Sequence, residues 1–307
     1  MADNSDQVDA AAGGKGQVDE TDARGTRSGA GDIGQTEYGF ATGELPVEKE
    51  SSLLSDEYKM NYPNRGLAVI INNRDFASHT NMGTRTGTDQ DKININNRLR
   101  VLDFTTEIYD NMSINDMKML MKKAGKLDHT RNDCFACVIL SHGEEGTVYG
   151  TDGPVEIKDL VEPFKGHNCP SLAGKPKLFF IQACRGQSFD KGVTVCDALG
   201  GKGGSLPMEP VTYRIPTEAD FLMAYSVVPG YFSWRNSTHG SWFIRALSEV
   251  LKEHADTLDL MTMMTRVNKK VAYEFESNAA KEFMNQKQIP CITSMLTKDV
   301  YFRPKPH

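Results

Sequence analysis

The sequence predicts an α/β fold with a mostly parallel central sheet and helices on both of its faces. From Gly66 onward, short apolar runs alternate with amphipathic stretches, and strands that alternate with helices favour parallel pairing through crossover connections. The run Cys134–Leu140 is almost continuously apolar, which is typical of a strand covered on both faces. A chain of 307 residues is long enough to bury one large core of this kind.

Each predicted element follows from its local pattern. Six strands are predicted where apolar runs are bounded by polar or turn residues, namely Gly66–Asn72, Phe104–Tyr109, Cys134–His142, Lys177–Ala183, Phe221–Val228 and Cys291–Phe302. Four helices are predicted where apolar residues recur at helical spacing, namely Asp89–Leu102, Asn115–Ala124, Trp242–Ala255 and Asp259–Ser277. Ser113, followed three residues later by Asp116, resembles a capping box and marks the start of the second helix.

Two connections between these elements are informative. Asp152 and Gly153 predict a small hairpin with strands Thr147–Gly150 and Val155–Ile157. Residues 187–211 hold five glycines and two prolines, and so long an unstructured loop inside a domain is either functional or a site of cleavage. Its Gly-Gly-Lys-Gly-Gly-Ser core lacks the spacing of a phosphate-binding loop. A doubly wound nucleotide-binding protein therefore stays a disfavoured alternative.

Composition narrows the class of protein. The formal net charge is −6, which disfavours nucleic-acid binding through a basic surface. No apolar run reaches the length of a membrane helix, and the first residues lack the pattern of a secretory signal. Six cysteines without such a signal indicate a reducing compartment. We expect a soluble cytoplasmic protein with neither a nucleic-acid nor a membrane partner.

Charge is distributed unevenly along the chain. Residues 1–50 hold eleven acidic and four basic residues and nine of the 27 glycines, with little apolar periodicity. Such a segment cannot bury enough apolar surface to offset the entropy of ordering. The prediction is a disordered acidic segment over residues 1–57, followed by a single domain over residues 58–302.

Chemistry is expected where two strands end. His142 and Gly143 follow one apolar strand, and Cys184 follows another. In doubly wound sheets, ligands bind beyond the carboxyl ends of the strands, so parallel strands would bring the imidazole and the thiol to one edge. The predicted roles are nucleophile for Cys184 and proton carrier for His142, with the amides of Gly143 and Cys184 facing a developing oxyanion.

The segments around both residues resemble the caspase family of cysteine proteases. Residues Gln182–Gly186 fit the family's active-site pentapeptide, and His142 lies 42 positions upstream of Cys184. Four further segments match the family in order within Tyr62–Phe302, namely Met82–Arg85, Ser141–Glu145, Tyr231–Asn236 and Ile289–Lys298. The resemblance is strongest to the effector caspases and implies a three-layer caspase-like fold.

The resemblance implies a substrate pocket for aspartate. Arg85, Gln182 and Arg235 match the family's residues for this pocket, and guanidinium groups suit a carboxylate because they are planar and permanently charged. Sister proteases that cleave after basic residues would need acidic residues here, and these positions carry none.

The resemblance also implies a groove for the residues before the aspartate. Ser233 and Arg235 would pair with the peptide backbone as an added strand. The other groove residues are the apolar wall Phe232, Trp234 and Phe283, and Asn236 and Trp242 for a second aspartate three residues upstream. Residues 277–282 lack aromatic residues that some effector relatives carry there.

The resemblance also implies that the chain is processed by proteolytic cleavage. The candidate cleavage sites are Asp22 in the acidic segment and Asp190 and Asp197 in the long loop, which would divide large subunit 58–197 from small subunit 198–307. The implied partners are protein substrates with aspartate before the scissile bond, an upstream activating caspase, and a second copy that pairs through the last strand. No cofactor is expected, and no metal, because the pair Cys134 and Cys137 lacks a second ligand pair. The alternative function is a catalytically weak or regulatory homologue.

Overall fold

A computed structural model describes residues 6–8, 55–186, 218–277 and 285–305. These residues, apart from Ser55, belong to one compact unit drawn from residues 1–11 and 56–307. Its strands in chain order are β1 (Asp6–Val8), β2 (Gly66–Asn72), β3 (Phe104–Asp110), β4 (Phe135–Leu140), β5 (Gly143–Glu144), β6 (Thr147–Gly150), β7 (Gly153–Glu156), β8 (Lys177–Gln182), β9 (Phe221–Tyr225), β10 (Trp234–Asn236), β11 (Gly240–Ser241) and β12 (Cys291–Ser294). Its α-helices are α1 (Thr88–Val101), α2 (Ile114–Gly125), α3 (Ile157–Val161), α4 (Trp242–His254) and α5 (Leu260–Glu274).

The central sheet has six strands in the order β12-β9-β8-β4-β2-β3. All neighbours pair in parallel except β12, which runs antiparallel to β9 at the edge. Every strand and helix predicted from the sequence is present, and Ser113 caps α2 by accepting a hydrogen bond from the Asp116 amide at 3.2 Å. The predicted fold class is therefore confirmed.

Two apolar clusters cover the two faces of the sheet. Helices α1, α4 and α5 pack on one face, and α2 and α3 pack on the other. Alternate residues of each strand contribute to the two clusters because successive side chains of a strand point to opposite faces. Cys134 belongs to one cluster and Cys137 to the other, and burial raises the pKa of both thiols. Within the described ranges, no helix is long and apolar enough to cross a membrane.

Three predicted strands end two or more residues earlier than expected. The strand predicted over Cys291–Phe302 ends at Ser294, because the chain then leaves the edge of the sheet and the amide of Asp299 bonds the carbonyl of Asp56. The strand predicted to reach His142 ends at Leu140, since the chain turns there into β5. The strand predicted to reach Val228 ends at Tyr225.

The start of the chain also differs from its expected disorder. Residues Asp6–Val8 form β1, which pairs antiparallel with β10 in a small sheet of order β1-β10-β11. Residues 56 and 57, assigned by sequence to the acidic segment, instead pair with Asp299. Backbone pairing explains both differences, since it satisfies donors and acceptors in a segment without apolar periodicity. The rest of residues 1–54 and the loop 187–211 lie outside the described residues.

Candidate active site

The catalytic edge of the sheet is formed by the carboxyl ends of β4 and β8. Leu140 lies opposite Gln182 in their parallel register, and the Ser141 amide donates to the Gln182 carbonyl at 3.1 Å. His142 and Cys184 each follow two positions later on these paired segments. Gly143 lies against the same segment, since a Cβ added there would be 3.0 Å from the Cys184 carbonyl oxygen. The predicted juxtaposition of imidazole and thiol segments is thus present.

The ring of His142 is held in one orientation. Its Nε2 lies 2.8 Å from the Gly83 carbonyl oxygen, and because a carbonyl only accepts, Nε2 carries the proton and Nδ1 has a free lone pair. Nδ1 is buried and has no hydrogen-bond partner among the described residues. Burial and the charge of Arg85 lower the pKa of His142 to about 4, against the Gly83 contact, which raises it. The ring is therefore a neutral base at physiological pH.

The thiol of Cys184 is neutral as well. The residue is 1% exposed, and the Ser233 amide donates to Sγ at 3.3 Å. Burial raises the pKa of Cys184 to about 12, although the Ser233 amide and the charge of Arg85 act in the opposite direction. A base is therefore needed before this sulfur can act as a nucleophile.

Arg85 is buried, and its guanidinium donates hydrogen bonds to a side-chain hydroxyl and a backbone carbonyl. Its Nη1 donates to Thr88 Oγ1 at 2.7 Å and to the Asn73 carbonyl at 3.3 Å. Burial lowers the pKa of Arg85 to about 10, while the charges of Asp91 and Cys184 raise it. The guanidinium therefore stays charged at neutral pH despite its complete burial.

Arg235 and Gln182 lie in the same region. Arg235 donates from Nε to the Thr86 carbonyl at 2.6 Å, which joins β10 to the residue after Arg85. Burial lowers the pKa of Arg235 to about 9. Gln182 donates from Nε2 to Ser233 Oγ at 2.7 Å. Arg235 is thus connected to the residue after Arg85, and Gln182 is connected to Ser233, which lies two positions before Arg235 in the chain.

Aromatic residues line the predicted groove. The rings of Trp234 and Trp242 stack with centroids 5.8 Å apart, and both are buried. Phe232 is also buried. Asn236 accepts hydrogen bonds from the amides of Thr238 and His239, both at 2.9 Å, and so shapes the turn after β10. Four predicted residues lie outside the described ranges, namely Phe283, Asp22, Asp190 and Asp197.

Two residues of the site escaped the sequence analysis. Gln288 accepts from the Trp234 amide at 2.7 Å and donates to the Ser226 carbonyl at 2.6 Å, which fixes the start of β10. Asp91 on α1 is fully buried and accepts from the Ser241 amide at 2.7 Å. Burial raises the pKa of Asp91 to about 7. Asp91 could have been predicted from the sequence, because it is a charged residue on the inner face of a predicted helix. No sequence pattern indicated the role of Gln288.

Comparison with known proteins decides the family. The family model of the caspase domain matches residues 65–301. The chain belongs to the caspase family. It is 50% identical to caspase-7 of Gallus gallus over 247 residues, which are 80% of this chain and 80% of the relative. It is 49% identical to caspase-3 of Bos taurus over 250 residues, which are 81% of this chain and 88% of the relative.

A solved caspase structure has the same fold. The crystal structure of caspase-1 from Spodoptera frugiperda matches with a TM-score of 0.75 and 41% sequence identity, over 82% of this chain and 95% of that chain. Caspases are cysteine endopeptidases, and this chain is one of them, close to the executioner caspases that act in apoptosis.

Proposed function

We propose that this caspase hydrolyses protein chains after aspartate, with Cys184 as the nucleophile and His142 as the proton carrier. The observation that carries the proposal is the His142 ring, whose Nε2 is held by the Gly83 carbonyl while its buried Nδ1 has no partner among the described residues. A neutral ring in this tautomer accepts a proton only at Nδ1. The thiol that could supply it lies on the adjacent strand end.

The reaction follows from these groups. Nδ1 of His142 takes the proton from Sγ of Cys184 as the sulfur bonds the scissile carbonyl carbon. The amides of Gly143 and Cys184 stabilise the oxyanion. The imidazolium then protonates the leaving amine, which departs as the new amino terminus and leaves a thioester. Water, deprotonated by the same nitrogen, hydrolyses the thioester and restores the thiol.

Selection of aspartate is assigned to Arg85, Arg235 and Gln182. Both guanidiniums are buried and charged, since their pKa values of about 10 and 9 stay above neutral pH. A guanidinium binds a carboxylate through two parallel, charge-assisted hydrogen bonds. A pocket with two such groups should favour an aspartate side chain over an uncharged side chain, which cannot make these charge-assisted bonds.

The groove is assigned to β10 and its aromatic neighbours. Ser233 and Arg235 would pair with the substrate backbone, and Phe232 and Trp234, with Phe283, would contact the residue before the aspartate. Asn236 and Trp242 would favour a second aspartate, giving an Asp-x-x-Asp preference. The stacked tryptophans, with Gln288 fixing the Trp234 amide, support a rigid groove.

The precursor and its assembly complete the proposal. The chain would be made as a zymogen and activated by an upstream caspase that cuts after Asp197 or Asp190 in the loop, with Asp22 as a further site. A homodimer would form in the cytoplasm through β12, because it is an edge strand of the sheet and an open edge is a pairing surface.

The test is hydrolysis of an Asp-Glu-Val-Asp peptide by the purified chain and by Cys184→Ala. Cys184→Ala should lower the turnover by at least about 10⁴-fold, since the nucleophile is lost, whereas Cys169→Ala, away from the catalytic edge and from β12, should leave it unchanged. Retained turnover in Cys184→Ala would contradict the nucleophile assignment. An inactive wild-type chain, after its loop has been cut, would favour the regulatory alternative.

A further inference from the structure

A polar cavity lies between helices α1 and α4, beside the turn that joins β10 to β11. Its volume is about 480 Å³, which lies within the range of small-molecule sites. Such sites are usually lined by apolar side chains with a few polar groups, whereas every described side chain that lines this cavity is polar or charged. The cavity therefore suits a small and strongly polar ligand.

Helical spacing directs the charged side chains to this cavity. On α1, Asn94 and Arg98 are four positions apart. On α4, Arg245, Glu249 and Lys252 are spaced by four and then three positions. Residues at these intervals share one face of a helix, so the facing sides of α1 and α4 bring three cations and one carboxylate to a single cavity.

The single carboxylate of the cavity is already paired with cations. Glu249 lies 3.0 Å from Nζ of Lys270, which is outside the cavity lining, and 4.0 Å from Nη2 of Arg245. The Arg245 guanidinium also lies 5.1 Å from the centroid of the Phe275 ring. Although the chain carries a formal net charge of −6, the lining of this cavity is therefore positive.

Two of the three cations have no carboxylate partner. Within the part of the chain that the structure describes, neither Arg98 nor Lys252 forms an ion pair. Nε of Arg98 and Oγ of Ser248 are buried and have no hydrogen-bond partner among the described residues. A guanidinium presents several N–H donors in a planar fork that matches two oxygens of a phosphate. These groups are therefore available to an anionic ligand.

We propose that this cavity binds a small molecule that carries two or more phosphate groups, through Arg98, Arg245 and Lys252. One carboxylate would satisfy one of these cations, whereas neighbouring phosphates present several charged oxygens within one small volume. The amide side chains of Gln90 and Asn94, which also line the cavity, supply further donors and acceptors for the rest of the ligand. This binding does not depend on the proposed function.

The cavity is connected to the upstream end of the proposed groove. His239 lines the cavity, and its Nδ1 lies 3.1 Å from Oδ1 of Asn236. Asn236 is the residue assigned to the second, upstream aspartate of the substrate. A polyanion bound beside His239 should repel that carboxylate, because like charges at short range disfavour each other. This consequence, unlike the binding itself, rests on the proposed function.

The first test is calorimetric titration of the purified chain with inorganic triphosphate at a fixed ionic strength. We expect Arg98→Gln to raise the Kd by at least about tenfold, because charge-assisted hydrogen bonds are lost. Lys252→Gln should raise it about threefold, since an exposed ion pair contributes less. Arg100→Gln is the matched control, because it removes the same charge from an exposed position of α1 outside the cavity, and its Kd should equal that of the wild type.

Three outcomes would overturn the binding site. The first is no heat of binding with the wild-type chain, and the second is an equal rise of Kd in Arg98→Gln and Arg100→Gln, which would indicate diffuse attraction to a basic helix. Because Lys252 is exposed, Lys252→Gln should fold normally, so an unchanged Kd in this variant counts against the site even if Arg98→Gln unfolds. Tighter binding of a hexaglutamate peptide than of triphosphate would overturn the assignment to phosphate.

The second test measures the effect on the groove. Saturating triphosphate should raise the KM for the Asp-Glu-Val-Asp peptide by about fivefold, at the low end of couplings between sites, and should change the KM for Ala-Glu-Val-Asp less. Equal changes for both peptides would overturn the coupling through His239. A chain that binds triphosphate but hydrolyses neither peptide would contradict the proposed function and leave the binding site standing.

Discussion

The catalytic edge and the proposed aspartate pocket lie side by side, yet burial leaves the ionisable groups of the first neutral and those of the second charged. At the catalytic edge it lowers the pKa of His142 to about 4 and raises that of Cys184 to about 12, so both groups are neutral. In the pocket, Arg85 and Arg235 are equally buried but keep pKa values of about 10 and 9, so both are charged. The same loss of solvent thus yields one neutral pair and one charged pair.

This difference in charge state follows from the ordinary pKa of each group, and it suits the two regions to different roles. A group with an ordinary pKa near neutrality loses its charge on burial, whereas a guanidinium starts so high that burial does not discharge it. In the proposed function, the neutral pair exchanges a proton during the reaction, and the charged pair binds the carboxylate of the substrate's aspartate. The two regions also interact, because the charge of Arg85 lowers the pKa of His142 and of Cys184.

Among the changes that test this comparison, the largest effect is expected from removing a charge of the proposed pocket. Arg85→Ala should lower kcat/KM for the Asp-Glu-Val-Asp peptide on the order of 10²- to 10³-fold, because truncating one partner of a buried charge pair costs about 2–5 kcal/mol. Steady-state kinetics against the matching peptide that ends in asparagine measure this effect. Arg100→Ala, exposed on α1, is the control. An equal loss on both peptides would show that Arg85 does not select the carboxylate.

A smaller effect is expected from Asp91, which lies behind the pocket. Burial raises the pKa of Asp91 to about 7 from its ordinary 3.8, so the folded state binds this proton more tightly than the unfolded state. Its contribution to stability is present below about pH 4 and is lost as the pH rises through about 7. Asp91→Asn should therefore remove part of the decrease in unfolding free energy between pH 4.5 and 7.5.

Denaturant unfolding at several pH values measures that slope. The matched control is Asp256→Asn, which removes an exposed carboxyl. A slope in Asp91→Asn identical to that of the wild type would mean that this carboxyl does not titrate in the window given above.

The smallest effect is a shift in one titration. Because burial and Arg85 lower the pKa of His142 to about 4, its ring resonances should not change between pH 7.5 and 5.5 in an NMR titration. The stability that the neutral ring contributes is present above about pH 6.5 and is lost as the pH falls through about 4. Arg85→Gln should raise the midpoint. An unchanged midpoint in Arg85→Gln would show that the charge of Arg85 does not lower the pKa of His142.

The sequence predicted the catalytic edge better than the groove. His142 and Cys184 each follow a continuous apolar strand, and parallel pairing alone brings strand ends together. Asp91 and Gln288 were missed because their roles depend on partners about 150 and 54 positions away, Ser241 and Trp234. Strand β1 was missed because its pairing depends on an open strand edge rather than on its own composition.

The pairing of β8 with β9 holds together the two polypeptides that a cut in the loop would create. These strands lie on either side of the loop in chain order, yet they are direct parallel neighbours, and Tyr58 donates to Asp220 at 2.7 Å across the same division. A chain cut between them keeps its sheet but becomes two polypeptides. Its unfolding then separates them, so its Tm should rise more steeply with protein concentration than the Tm of the uncut chain.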